Sequence, residues 1–207
     1  MDKVEICNIA LSRIGASNIE RMDEDSENAR VCNQFYDVCR RNELRSYPWT
    51  FATRRVKLAL VNNQQFDYKY AYRYPTDALY IRKLYNAEQG WALKDVKHQI
   101  IGDAEGKLIL TNMELAGCEY TADVEDAAAF DNEFAFALAW LLGAEIAVPI
   151  TGNVNMANYC QNAYAHFITE ARADNTNEHN PDRIHVNELT MSRFVGIDDY
   201  DYRRDFD

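Results

Sequence analysis

The chain contains no G-x-S-x-G elbow, no P-loop, no C-x-x-C pair and no H-E-x-x-H helix. The short motifs that tie a sequence to acyl transfer, nucleotide binding, dithiol exchange or zinc proteolysis are therefore missing. Positive charge is scarce as well: 22 Lys and Arg stand against 33 Asp and Glu, a formal net charge of -11. Phosphates repel such a chain, which excludes a conventional nucleic-acid binder, although an acidic wall still lets DNA slide past. Histidine is rare, and His98, His166, His179 and His185 lie at no metal-ligand spacing. The five cysteines, Cys7, Cys32, Cys39, Cys118 and Cys160, are odd in number and sit inside apolar patterns. With Met1-Asp2-Lys3 leading into an amphipathic helix rather than a charged-then-apolar leader, buried reduced thiols in a cytoplasmic protein are expected. The longest charge-free apolar run, Phe134 to Ala144, falls short of the ~20 residues that span a bilayer, so a soluble protein is expected. No internal repeat occurs, and no low-complexity tract beyond one polar linker.

What is present suffices for a core. Of 207 residues, 47% are hydrophobic and 13 are Tyr, which excludes wholesale disorder and suits one good-sized domain. The organising stretch runs from Ser26 to Leu60. It begins as an amphipathic helix, breaks at Tyr47-Pro48-Trp49 and leaves as an alternating strand.

Taken in order, Val4, Cys7, Leu11 and Ile14 form one helical stripe, followed by Gly15 where a left-handed cap is cheapest. Asp23-Glu24-Asp25 reads as the charged approach to a second helix rather than a metal site. That helix is expected to bury Ala29, Cys32, Phe35, Tyr36 and Cys39, with Arg30, Asn33, Asp37, Arg40 and Arg41 outward. Pro48 drives Tyr47 out of helical geometry. Val56, Leu58 and Leu60 then alternate as a strand.

Asn62 to Gln65 reads as a turn. Phe66, Tyr68, Tyr70, Tyr72 and Tyr74 alternate strictly with Asp67, Lys69, Ala71 and Arg73, predicting a strand with one aromatic face. Leu79–Asn86, Trp91–Lys94, Val96–Gly102, Lys107–Thr111 and Cys118–Val124 read as further strands, with tight turns at residues 88–90 and 102–106. Asp126 is expected to open a long helix, apolar nearly all round and ended by Pro149. Such a helix is central in its domain or covered by a neighbouring subunit. A last helix carries Met156, Tyr159, Cys160, Ala163, Tyr164 and Phe167 to about Ala173. From Asp174 the composition is that of a polar linker, followed by an arm whose Phe194, Val195, Tyr200, Tyr202 and Phe206 need a cover.

Chemistry is hard to nominate. Cys32 and Cys39 share one helical face with Phe35 and Tyr36 between them, as buried small hydrophobes do. With 33 carboxylates, any pair could converge, so a glycosidase-type pair stays open while nothing selects one. The Phe66–Tyr74 face is either a stacking platform for a ligand or the core side of a sheet.

Four segments add specificity by their order: ICNIALSRIGA, ARVCNQFYDVCRRNELRSYPWTFATRRVKLAL, YRYPTDALYIRKLY and EFAFALAWLLGAEIAVPITGNVNMANYCQNAYAHFITEARADN. Together they resemble the head-to-tail adaptors of short-tailed bacteriophages, the tail tubular A proteins, over about residues 1 to 175. The most specific part runs from Tyr36 to Leu58, an aromatic-Asp-x-x-Arg helix leading into Pro-Trp-x-Phe-Ala.

The resemblance implies an α+β fold, an antiparallel helical bundle with a small antiparallel β region inserted between helices 2 and 3. Residues 1–175 would form one adaptor domain, with helices about 2–14, 26–46, 126–148 and 153–173 and the β region about 53–124. Residues 176–207 would form a linker and C-terminal arm. The implied role is a structural virion protein of the head-tail neck, assembled in the host cytoplasm, without enzymatic activity, cofactor or membrane. Its partners would be copies of itself in a twelve-fold ring, the portal protein, the tail nozzle protein and passing double-stranded DNA bound without sequence specificity. Arg193, Phe194, Tyr200, Tyr202, Arg203 and Phe206 are the expected portal-docking residues, and Tyr47, Pro48, Trp49 and Phe51 the structural corner. The alternatives are a carboxylate-based cell-wall glycan hydrolase and a small cytoplasmic binding module.

Overall fold

Helix α1 (Lys3–Arg13) starts at a reciprocal cap. The Asp2 carboxylate accepts from the Glu5 N–H at 2.8 Å, and the Glu5 carboxylate accepts from the Asp2 N–H at 2.7 Å. It closes through Ile14 onto Gly15, whose φ of +73° a side chain would disfavour. Helix α2 (Glu27–Ser46) is capped by Ser26, whose hydroxyl accepts from the Ala29 N–H at 3.2 Å. It stops where Pro48 holds Tyr47 extended, at φ −142° and ψ 148°, as the sequence predicts. The structure, a computed structural model, describes residues 1–61, 67–88 and 96–179.

The protein is a mixed α+β fold with four helices and antiparallel sheets. Between α2 and α3 the chain lays down β1 (Thr53–Lys57), β2 (Leu60–Val61), β3 (Tyr70–Arg73), β4 (Ala78–Asn86), β5 (His98–Asp103), β6 (Gly106–Thr111) and β7 (Ala116–Ala122). They form a three-stranded sheet in the order β1-β7-β4 and a four-stranded sheet in the order β2-β3-β6-β5. Two helices follow, α3 (Asn132–Thr151) and α4 (Val154–His179). Phe134, Leu138, Leu142 and Ile146 of α3 are fully buried in the main core, together with Ile6 and Leu11 of α1, Leu44 of α2 and Leu84 of β4. Tyr70, Tyr72 and Ile109 turn one face of the four-stranded sheet into that core. Ala71, Leu108 and Leu110 form a second, smaller cluster on the other face.

Several expectations need correction. Val56, Leu58 and Leu60 do not belong to one strand: the chain changes sheets at Leu58. Leu58 still donates its N–H to Ala116 at 2.9 Å beside β7, whereas the carbonyl of Ala59 already accepts from Arg73 of β3 at 2.9 Å. Leu58 is buried at the crossing, and Val56 and Leu60 on either side are exposed. The aromatic alternation is likewise shorter than predicted. Strand β3 spans Tyr70–Arg73, and Tyr68 packs on the Ala71 cluster instead of the tyrosine face. Phe66, the Asn62–Gln65 turn and the Trp91–Lys94 strand lie outside the described residues.

Helix α3 starts later than Asp126 and outlasts Pro149. Asp126 caps a single 3-10 turn, Ala127–Ala129, and extended Phe130 then lets its ring meet Phe51 and Phe134. Pro149 sits so near the end that one more turn closes behind it: the Thr151 hydroxyl donates to Ala147 O at 2.6 Å and the Gly152 N–H to Val148 O at 2.9 Å. Only the proline's own N–H is lost, and Gly152 at φ +67° ends the helix. At 20 residues, α3 is also long and apolar enough to cross a membrane by length and composition, which the charge-free run alone did not suggest. Here α1, α2 and α4 pack around it.

Helix α4 continues to His179, six residues past the predicted Ala173 and through residues 174–179, whose composition reads as linker. The reason is tertiary. Asn175 is buried and its side-chain amide donates to the Thr50 hydroxyl at 2.6 Å, while Thr176 reaches Tyr47.

Candidate functional site

The corner after α2 is tied to its neighbours through both rings and hydrogen bonds. Trp49 is 1% exposed, and its indole N–H donates to Glu43 O at 3.1 Å. Its ring meets Tyr47 and Phe134 edge to face, each at 5.0 Å between centroids. Phe51 meets Phe134 at 5.0 Å and Phe130 at 5.6 Å, extending the cluster onto the start of α3. The Thr53 hydroxyl donates to Trp49 O at 2.7 Å and so fixes where β1 leaves. All four predicted corner residues, Tyr47, Pro48, Trp49 and Phe51, thus stand where α2, β1, α3 and α4 meet.

A polar lock lies beside this cluster. Glu43, 2% exposed, accepts from the Tyr164 hydroxyl, from Arg172 at 3.0 Å and from the Ser46 hydroxyl at 3.0 Å. Arg172 also donates to the Ser46 hydroxyl oxygen at 2.9 Å, and the Tyr47 hydroxyl donates to the Arg172 carbonyl at 3.1 Å. Burial, then the neighbouring Glu43 carboxylate, pushes the Tyr164 phenol well above its ordinary pKa, so this hydroxyl stays a donor. The lock joins α2 to α4 at Tyr164 and again about two turns later at Arg172.

A second lock corrects the expected face of α2. Arg40 does not point outward: it is 2% exposed, and its guanidinium donates to Asp123 at 2.5 Å and to the Val124 carbonyl at 2.6 Å. Arg41, which does face solvent, donates to the other Asp123 oxygen at 2.7 Å. Burial pulls the Asp123 pKa up, but hydrogen bonds from Arg41 and Arg40 outweigh it and leave the carboxyl below its ordinary value. The link from β7 to α3 is thereby fastened to the middle of α2. Neither Glu43 nor Arg40 is marked by its own neighbourhood in the sequence.

The surface divides by charge. No lysine or arginine occurs between Lys107 and Arg172. Asp131, Glu133, Asp174 and Glu178 line a cleft of about 280 Å³ between the start of α3 and the end of α4. Burial, with Glu178 and Glu133 close by, raises the Asp131 pKa. Beside it, Phe136, Trp140, Tyr159 and Phe167 form an aromatic patch on which Arg13 of α1 lies, 3.7 Å from the Trp140 centroid and 4.3 Å from that of Phe136. Burial lowers the Arg13 pKa to about 10. The three-stranded sheet is the opposite in sign. Arg54, Arg55, Lys57 and Lys83 stand exposed on its outer strands, with Glu119 between Arg55 (2.9 Å) and Lys83 (4.0 Å).

Chemically, the arrangement holds parts together. The five cysteines are free and buried. A hydrogen bond to Cys32 and burial push the Cys7 thiol up, and burial raises Cys39 and Cys118 to about 12, so these sulfurs stay protonated and unreactive. Among the described residues, no three His, Cys, Asp or Glu side chains gather as a metal-holding group. Tyr72 and Tyr74 are buried and the Tyr72 hydroxyl donates to Met113 O at 3.0 Å, so this part of the aromatic strand serves the core rather than a stacking platform. Arg193, Phe194, Tyr200, Tyr202, Arg203 and Phe206 lie outside the described residues. No protein-family model matches the chain, and a search of curated proteins gives no match.

Proposed function

We propose that this protein is a ring-forming structural adaptor of a short-tailed phage virion, joining the portal to the tail nozzle and letting DNA pass. In this reading the helices form a bundle carrying an inserted β region, and residues beyond α4 form an arm that docks on the portal through Arg193, Phe194, Tyr200, Tyr202, Arg203 and Phe206. Buried aromatics and arginine hydrogen bonds are the usual anchors of such a contact. Twelve identical subunits would close the ring through heterologous contacts.

The observation that carries the reading is which segments touch. The two longest stretches that carry the adaptor resemblance, residues 29–60 and 133–175, meet at the corner through Trp49 with Phe134, Tyr47 with Arg172 and Thr50 with Asn175. The resemblance thus falls on a mutually packed unit rather than on scattered surface. The lysine- and arginine-free stretch suits a passage that repels its cargo.

The test is electron microscopy of the full chain mixed with portal rings, expected to show a closed ring added below the portal. Portal rings that gain no density sink the proposal. Removing residues 190–207 is expected to abolish binding, and undiminished binding would reject the docking assignment alone.

A further inference from the structure

A cleft of about 200 Å³ lies where the two sheets and the end of α2 meet, lined by Arg45, Tyr74, Tyr80, His98, Ile100 and Lys107. Each element delivers its side chain for a local reason. Arg45 stands in the last turn of α2, where a cation suits the helix dipole. Strand β4 shifts register against β7 between Ala78 and Tyr80 and again between Ile81 and Lys83, and such bulges re-aim side chains. Arg82 donates to the Thr121 hydroxyl and to the Arg45 carbonyl, each at 2.8 Å, which brings two arginines to one place. His98 and Ile100 lie two apart on β5 and so share a face. The Tyr74 N–H donates to Lys107 O at 3.1 Å, pairing these two residues at the cleft.

The cations gather on rings rather than on acids. Arg82 lies 4.6 Å and Arg45 5.5 Å from the Tyr80 centroid, and Lys107 lies 5.2 Å from that of Tyr74. Among the described residues, Arg45, Arg82 and Lys107 form no salt bridge. Acids in the same strands and turns are engaged elsewhere: Asp103 and Glu105 pair with Arg73, and Asp77 accepts from the Tyr120 hydroxyl at 3.0 Å. Burial lowers the Arg82 pKa, and the neighbouring Arg45 charge lowers it further. Three positive charges thus converge in a protein of net charge -11. Arg45, Tyr80, Ile100 and Lys107 are all exposed.

We infer that this cleft binds an acidic segment of a partner protein, one with a large apolar residue among its carboxylates. The carboxylates take charge-assisted hydrogen bonds from Arg45, Arg82 and Lys107, and the apolar residue covers Tyr80 and Ile100. Tyrosine and arginine are the side chains that most often anchor protein contacts. A nucleic acid fits less well. It asks for a row of cations along its phosphates, whereas the hairpin carrying His98, Ile100 and Lys107 turns at Asp103 and Glu105.

Isothermal titration of the full-length protein with the capped peptide Glu-Asp-Phe-Asp-Glu tests this without portal or nozzle, so its outcome stands apart from the ring proposal. A Kd of about 1 mM or below is expected at low salt. Arg45→Glu/Lys107→Glu, a change at two exposed positions, should weaken binding at least about tenfold. Ile100→Glu, on the exposed rim, is a second variant with the same expected loss. A peptide with lysines in place of the acids should not bind. No binding of the acidic peptide, or binding unchanged in both variants, overturns the inference. Tighter binding of a single-stranded DNA oligonucleotide, lost in the same variants, assigns the cleft to phosphates and overturns it too. Peptide binding that appears only after residues 190–207 are removed assigns the cleft to the chain's own arm and overturns the partner contact.

Discussion

Trp49 donates its indole N–H to the backbone carbonyl of Glu43, six residues earlier, at 3.1 Å. The end of α2 and the corner that follows it are therefore one hydrogen-bonded unit. Trp49→Ala removes a fully packed ring and is expected to destabilise the protein by ~3–5 kcal/mol in urea unfolding. Trp49→Phe keeps most of the ring but removes the indole donor from the Glu43 carbonyl, which still accepts from the Ser46 hydroxyl at 2.8 Å, at a cost of about 1 kcal/mol. A loss below about 1 kcal/mol for the alanine variant would reduce the corner to surface decoration.

The Arg40–Asp123 pair should be more sensitive to charge than to shape. Asp123→Asn takes the closer of two carboxylates from the buried Arg40 guanidinium, leaving Asp37 at 3.3 Å, with an expected loss of about 1.5–3 kcal/mol near neutral pH. Asp123 has a lowered folded pKa, so its contribution is present above the ordinary carboxylate value and is lost as pH falls through the folded one. Unfolding curves of parent and variant should converge below about pH 3.9. A difference constant from pH 7 to pH 3 would show that Asp123 acts by packing alone.

Gly117 leaves room for a neighbour's ring. A Cβ built there would stand 2.5 Å from Cε2 of the buried Tyr85. Gly117→Ala is expected to destabilise by about 1–3 kcal/mol through overpacking. Tyr85→Val in the same chain should make the alanine nearly neutral, and additive losses in the double-mutant cycle would place the strain elsewhere.

Alkaline pH should unfold the protein before it harms any single contact. Burial raises Cys39 and Cys118 to about 12, and Tyr85 and Tyr120 likewise to about 12, in the last case helped by Asp77. A raised folded pKa gives stability that is whole below the unfolded value and lost as pH climbs from there to the folded one. The unfolding midpoint should thus hold up to about pH 8.5, where unfolded thiols ionise, and fall further beyond about pH 10 as unfolded tyrosines follow. A midpoint unchanged at pH 10.5 would contradict the buried, protonated state of these groups.

What the sequence made legible was mostly local. Pro48 dictates the end of α2, Gly15 closes α1, and the residue 102–106 turn joins β5 to β6, because each acts through its own backbone. Arg40 was misplaced because its partner lies 83 residues away, and Glu43 escaped notice because Tyr164 and Arg172 lie 121 and 129 residues away. The same distance hid the last turns of α4, where polar residues 174–179 are held helical by Tyr47 and Thr50. Leu58 alternates correctly with its neighbours, and no pattern of period two can show that the chain leaves one sheet for another there. At the candidate site, the four corner residues were readable from Pro48 and the aromatics around it, whereas the polar locks were not.

The five buried thiols also turn the fold into a recorder of its own motions. Cys7 lies on α1, Cys32 and Cys39 on α2, Cys118 on β7 and Cys160 on α4, and none is more than 3% exposed. An alkylating reagent can reach a given sulfur only when that element opens, so the label acquired at each position over time reports how often its part of the molecule breathes. With no residue added or changed, the chain offers a readout of which helix loosens first.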